Sequence, residues 1–164
     1  MERLCERQGL LTLEERSAIA EIEATTHVLK LVTRLTGMGF AGISKFTDTQ
    51  WVVCSVYDAI GLGIAPGESL DVETTLCHEL QRDPRPLFLA NIANHPRLAA
   101  RPVVAEHHLG SYAGVPVILP DGTLYGALCA LDTKATAFND ENLAETLELF
   151  ARLIGCIFYA NIRR

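Results

Sequence analysis

Long hydrophobic runs are missing from this sequence. No stretch of about eighteen apolar residues occurs, so no membrane-spanning helix is expected. Basic residues are in the minority: 14 Lys and Arg stand against 20 Asp and Glu, for a net charge of −6. Nucleic-acid phosphates demand clustered Lys and Arg, so nucleic acid is not expected as a partner. The start, Met1-Glu2-Arg3-Leu4-Cys5-Glu6-Arg7, lacks the apolar core of a signal peptide, and the chain is read as cytoplasmic. The cysteines at 5, 54, 77, 129 and 156 contain no C-x-x-C pair, so no metal site is expected. Their odd number and wide spacing do not suggest a disulfide framework, and in a reducing compartment they are free thiols. Also absent are a Gly-rich phosphate loop, H-E-x-x-H and G-x-S-x-G.

What is present is an ordinary globular composition. The 164 residues are a one-domain length, and 49% hydrophobic residues are enough for a real core. Disordered chains are depleted in those residues. Residues 1–12 read as an N-terminal arm and 13–164 as a single domain.

Thr12 to Thr36 has the spacing of a long helix, with Ala18, Ile22, Leu29 and Val32 on one stripe and Thr12 as N-cap. Phe40 to Phe46 and Trp51 to Tyr57 read as strands joined by the polar link Thr47-Asp48-Thr49-Gln50. Alternation puts Val52, Cys54 and Val56 on one face of the second strand and Trp51, Val53, Ser55 and Tyr57 on the other. A glycine- and proline-containing loop, a short helix over Val72 to Gln81 and a strand over Leu87 to Ile92 follow. Asn94 to Leu109, with two prolines and three of the five histidines, reads as helix or loop. Tyr112 to Leu119 and Thr123 to Leu131 form a hairpin through Pro120-Asp121-Gly122, each residue of which suits a turn. The last helix is expected from Asp140 to Ile162, capped by Asn139, with Leu143, Leu147, Phe150, Ile154 and Ile157 on its apolar face. Two hairpins imply a mostly antiparallel sheet in an α/β (α+β) fold. The terminal helices cover one face and the middle insert the other.

Three stretches carry a family resemblance. Trp51-Val52-Val53-Cys54-Ser55-Val56-Tyr57-Asp58 continues through Pro66-Gly67-Glu68-Ser69-Leu70 to Glu73-Thr74-Thr75-Leu76-Cys77. Ser111-Tyr112-Ala113-Gly114-Val115-Pro116-Val117 is the second. The third runs from Asp121-Gly122 to Tyr125-Gly126-Ala127-Leu128-Cys129-Ala130-Leu131-Asp132. In this order they resemble GAF domains of the type found at the N-terminus of bacterial sensor histidine kinases and cyclic-di-nucleotide signalling proteins. The resemblance implies a PAS-related antiparallel sheet of about five or six strands, with a ligand pocket under the insert. It also implies a homodimer through the terminal helices and a last helix that continues into an output domain. No output domain follows Arg163-Arg164, so a piece of a longer signalling protein and a stand-alone regulator are both expected.

Laying the motifs on the pocket side of that fold selects Cys54, Asp58, Cys77, His78, Tyr112 and Cys129 as ligand-binding residues. Asp58 closes a strand and can equally cap the next loop. Phytochrome-like GAF domains attach a bilin through a Cys-His pair, which Cys77-His78 resembles. Their cysteine lies shortly before the strand that Ser111 to Val117 resembles, and Leu98 to Leu109 contains none. Some haem-binding GAF domains take an axial histidine from this loop, which makes His107 or His108 a candidate. An axial histidine needs a neutral nitrogen aimed into an apolar cavity, and two adjacent ones cannot both comply. The simpler reading has one solvated and one capping the loop.

Cys54, Cys77 and Cys129 near one pocket suggest redox or metal sensing, against the simpler reading of packed apolar thiols. Free methionine-sulfoxide reductases share the fold and use several cysteines. Their local sequence is not matched. Nor is the motif of cyclic-nucleotide GAF domains, and Arg97 and Arg101 are expected in solvent. Val28, Leu31, Phe158 and Ile162 fall outside the core stripes of the terminal helices and are assigned to a dimer surface. The reading that results is a non-catalytic sensory domain. It binds a small ligand or senses redox state and signals through its terminal helices to an output domain such as a histidine kinase. No cofactor is required by the sequence. The alternatives are a thiol enzyme of the reductase type, a haem or bilin sensor, and a ligand-free dimerisation module.

Overall fold

The computed structural model describes residues 10–24 and 27–162, so most of the expected arm and the Ile162 side chain lie outside it. The chain runs α1 (Leu13–Ala24), α2 (His27–Thr36), β1 (Phe40–Phe46), β2 (Gln50–Asp58), β3 (Ser69–Asp71), α3 (His78–Arg82) and β4 (Leu87–Leu89). It continues through α4 (Pro96–Ala99), α5 (Pro102–His107), β5 (Ser111–Ile118), β6 (Leu124–Asp132) and α6 (Leu143–Ile162). Short 3-10 turns over Val72–Thr74 and Ile92–Asn94 complete the insert.

Local signals explain several boundaries. Thr12 and Glu15 close a reciprocal capping box at 3.0 Å in each direction, which satisfies two amides at the start of α1. Pro96 and Pro102 each open a helix, where a missing N–H costs nothing, so the prolines of the unplaced stretch start helices rather than break them. Asp140, not Asn139, caps the final turn by accepting from the Asn142 amide at 2.8 Å, and α6 begins at Leu143, later than the sequence suggests.

The six strands form one antiparallel sheet in the order β3-β2-β1-β6-β5-β4. Its two faces carry separate cores. Leu29 and Val32 of α2 and Leu143, Leu147, Ile154 and Phe158 of α6 pack with Ile43, Val115 and Leu128 on the helix face. Leu76, Leu80, Val103 and Leu109 of the insert pack with Phe40, Trp51, Tyr112 and Leu131 on the other.

Two β-bulges change the expected alternation. Ile43 pairs with Ser55 and Ser44 with Val53, so Cys54 is the extra residue of β2. Val117 pairs with Gly126 and Ile118 with Leu124, so Tyr125 is the extra residue of β6. A bulge adds one residue and resets the side-chain phase. Val56 therefore joins Trp51 and Val53 on the insert face, while Cys54, Tyr57 and Tyr125 face the helices.

Phe158 corrects the assignment of the dimer surface. It is 0% exposed and stacks on Tyr125 with ring centroids 4.4 Å apart. The reason is helical spacing: Phe158 lies four residues beyond Ile154 and continues the core stripe. Val28 is half-buried and Leu31 is exposed. The large apolar residues that α6 leaves in solvent are Leu149, 57% exposed, and Leu153, 58% exposed, one helical turn apart.

Candidate functional site

The insert face gathers Cys77, Tyr112 and Cys129, three of the six residues selected from sequence. Cys129 lies in the middle of β6, with Gly42 of β1 as partner on one side and Gly114 of β5 on the other. Both glycines are roofed by an aromatic ring from two residues earlier in their own strand. A Cβ on Gly114 would lie 2.2 Å from the Tyr112 hydroxyl, and one on Gly42 would lie 3.2 Å from the Phe40 ring. The missing Cβ atoms let Tyr112 and Phe40 lie down along the sheet beside Cys129. Tyr112 then reaches the insert, with its hydroxyl 3.1 Å from Cys77 Sγ just ahead of α3.

Between these groups is an apolar cavity of about 20 Å³, walled also by Trp51, Ile64, Val103 and Leu131. Trp51 is 4% exposed, and its buried indole N–H has no hydrogen-bond partner. His78 likewise buries Nδ1 without a partner. Sequence reasoning did not select Trp51. The alternation of β2 already placed it with Val53, but nothing marked that face as the cavity side.

The thiols are not equivalent. Cys77 lies below the usual thiol range, chiefly because Cys129 donates toward its sulfur; burial works the other way, and the Tyr112 hydroxyl assists. Cys129 is pushed well up, first by that same bond to Cys77 and then by burial. Burial also pushes Tyr112 well up, so it is a neutral donor.

The other predicted residues lie elsewhere. Cys54 faces the helices beside Tyr125, where burial pushes its thiol up to about 12. Alternation is the physical reason: Cys54 points away from its neighbours Trp51 and Val53, which face the insert. Asp58 caps the next loop, accepting from the amides of Ile60, Gly61 and Gly63. His107 Nδ1 bonds the Leu62 carbonyl oxygen at 3.0 Å, and exposed His108 ends α5 in the left-handed conformation with φ of 55°. Neither lines the cavity, so the arrangement does not suit an axial haem ligand. Arg101 is also not free in solvent. Its guanidinium bonds the Thr75 carbonyl oxygen and, with Arg97, clamps Glu79, which fastens the segment after Ala100 to α3. Glu79 consequently lies below the usual carboxylate range, mainly through Arg97. Among the described residues no cluster of His, Cys, Asp and Glu could hold a metal ion, and no helix is long and apolar enough to cross a membrane.

A single antiparallel sheet with terminal helices on one face and a small cavity under an insert on the other defines a class of modules that are generally sensors or regulators. The chain belongs to the GAF domain family, whose model matches residues 21–157. No curated protein matches it. Among solved structures it is similar to the GAF domain of an Acinetobacter phosphoenolpyruvate-protein phosphotransferase, with TM-score 0.66 and 12% identity over 93% of this chain and 98% of that one. It is similar to the blue-light absorbing form of the Thermosynechococcus elongatus PixJ GAF domain, with TM-score 0.67 and 14% identity over 92% and 90%. It is also similar to the free methionine-R-sulfoxide reductase of Neisseria meningitidis, solved with its substrate, with TM-score 0.66 and 16% identity over 91% and 86%. At these identities the likeness is one of fold.

A bilin does not fit the residues present. Residues 98–109 contain no cysteine. The cavity of about 20 Å³ has room for one water-sized molecule, far below the roughly 300–1,000 Å³ of sites for larger ligands.

Proposed function

We propose that this chain is a non-catalytic regulatory input domain. It reads the state of the cavity beneath its insert, through a small ligand or through thiol redox state, and passes that state through its terminal helices to an output domain such as a histidine kinase. The observation that carries this reading is the junction at β6. Cys129 of this strand faces the cavity. Tyr125, four residues earlier, faces the helices and holds Glu15 of α1 through a 2.7 Å hydrogen bond and Phe158 of α6 through a ring stack. One rigid strand thus touches the cavity and both terminal helices. A change at the cavity that favours one helix arrangement over another shifts the population between them.

The domain acts as a homodimer, with Leu149 and Leu153 of α6 and Leu31 and Leu35 of α2 as its apolar contact residues; all four are exposed in the single chain. The reductase alternative draws support from two thiols at one cavity, but about 20 Å³ does not admit free methionine sulfoxide without opening of the insert. Native mass spectrometry of the freshly purified protein tests the reading. A dimer is expected, and any added non-covalent mass identifies the ligand class. A strictly monomeric chain that turns over free methionine sulfoxide with a thiol reductant would replace this reading with the enzyme.

A further inference from the structure

Cys77 and Cys129 are separated by about a third of the chain, sit on different layers and line the same small cavity. The Tyr112 hydroxyl lies beside Cys77 at the same cavity. Its oxygen is 3.1 Å from Cys77 Sγ, and it overlies Gly114, the cross-strand partner of Cys129. Cross-strand partners project from the same face of the sheet, so Tyr112 and Cys129 line the cavity from the same side. The cavity wall also carries the unpartnered Trp51 N–H, a buried donor that lacks an acceptor. The space admits one water-sized molecule. Hydrogen peroxide is water with one more oxygen, and its oxygens accept from such donors.

We infer that Cys77 is a peroxide-oxidised thiol and Cys129 its resolving partner, so that a hydroperoxide turns the pair into a disulfide linking the insert to the central strand. This rests on the reading of the cavity as the sensory site and names redox state as its signal. In the first step the Cys77 sulfur attacks one peroxide oxygen. The O–O bond breaks, the second oxygen leaves with the thiol proton as water, and Cys77 becomes a sulfenic acid. In the second step the Cys129 sulfur attacks the Cys77 sulfur. The S–S bond forms, the S–O bond breaks, and the hydroxyl leaves with the Cys129 proton as a second water. The two sulfurs lose two electrons and the peroxide gains them; a dithiol reductant returns them.

Trp51 and Tyr112 are positioning residues that orient the peroxide and favour the attacking thiolate. The Tyr112 hydroxyl, 3.1 Å from the Cys77 sulfur, marks Cys77 as the attacking thiol, and the lowered Cys77 and raised Cys129 agree with that order. Cys54, raised and on the other face, has no part. A disulfide fixes the two Cα atoms about 4.4–6.8 Å apart, so oxidation would tie the segment ahead of α3 to β6. That is the strand whose Tyr125 holds α1 and α6.

The test treats the intact chain with hydrogen peroxide and maps its peptides without reduction. A Cys77–Cys129 disulfide is expected before any product at Cys54, and it should be reversed by a dithiol. Cys129→Ser should accumulate a sulfenic acid at Cys77 that a cyclic diketone traps. Trp51→Phe should slow the oxidation about tenfold, the worth of one hydrogen bond. Oxidation of the exposed Cys156 while the pair stays reduced would overturn the proposal without recourse to any variant. So would a folded Cys129→Ser chain that forms no sulfenic acid at Cys77. Hydrogen exchange of residues 143–162, measured on the same oxidised sample, separates the two levels. Altered exchange supports both the switch and its output. A disulfide with unaltered exchange supports the thiol pair and removes the signalling reading.

Discussion

Each face of the sheet buries a tyrosine beside a cysteine, and the two faces treat the pair in opposite ways. On the helix face Tyr125 donates to a carboxylate. Glu15, 3% exposed, accepts from the Tyr125 hydroxyl at 2.7 Å, from Lys45 Nζ at 2.8 Å and from the Thr12 amide. Lys45 also bonds the Leu10 carbonyl oxygen. These polar groups fasten α1 to the sheet, and Cys54 is an apolar filler. On the insert face Tyr112 has no carboxylate to serve, and its hydroxyl meets a thiol. That face keeps an unpartnered indole N–H, an unpartnered imidazole nitrogen and a small cavity. Buried polar groups are normally satisfied, so groups left over mark chemistry that packing did not require. The satisfied face is a latch and the unsatisfied face a candidate sensor.

Breaking the latch face at its centre carries the largest expected effect. Phe158→Ala removes a ring that is wholly buried against Tyr125 and should lower the unfolding free energy by about 3–5 kcal/mol. Urea denaturation reads this directly. A change near zero would return Phe158 to an intersubunit role. The corresponding lesion on the insert face is Gly114→Ala. Its methyl group would meet the Tyr112 hydroxyl at 2.2 Å, so the ring must swing away from Cys77, at a cost of about 1–3 kcal/mol. A thermal melt reads the stability, and thiol alkylation should find Cys77 changed and Cys54 unchanged. Equal changes at both thiols would mean that the two faces are not independent.

The latch also has a pH signature. Burial pushes the Glu15 carboxyl up, but Lys45, the Thr12 amide and Tyr125 outweigh it and hold it below the usual carboxylate range. A carboxylate depressed in the folded state contributes stability above its unfolded pKa of about 4.3. As pH falls the unfolded chain takes the proton first, and the contribution is lost through the folded pKa. Wild-type stability should therefore decline below about pH 4 in part through this group. Glu15→Gln should lose about 1–3 kcal/mol at neutral pH and flatten that part of the profile. Denaturant midpoints across the acid range decide it; parallel profiles for the two proteins would remove Glu15 as the source.

How much of this was readable beforehand differs between the same two faces. Strand pairing, the two hairpins and the helical stripes are local periodicities, and Thr12-x-x-Glu15 is a local motif, so these could be read from sequence. Cys77, Tyr112 and Cys129 were found because they lie in motif segments. Cys54 was misplaced because alternation separates it from Trp51 and Val53 without saying which of the two faces meets the insert. The inverted phase of Val56 and Tyr57 escaped because a bulge belongs to the pairing of two strands and leaves no trace in either alone. Trp51 escaped because a missing hydrogen bond is a property of surroundings. Arg101 escaped because its partners, Thr75 and Glu79, belong to a different helical segment of the insert.

The smallest expected effect on stability belongs to the outer surface of the latch. Leu149 and Leu153 are more than half exposed in the single chain, so replacing them costs little buried area. Surface substitutions of this kind stay within about 0.5 kcal/mol. Four residues apart on α6, they form a ridge on the same side of the helix, turned away from the stripe of Leu147, Ile154 and Phe158 that packs on the sheet. Leu149→Ser with Leu153→Ser should leave the melting temperature of the folded domain nearly unmoved and shift sedimentation from dimer to monomer. Phe158→Ala should do the reverse, lowering stability at every protein concentration. If the double serine variant remains dimeric, α6 is not the contact, and Leu31 and Leu35 of α2 become the next pair to replace.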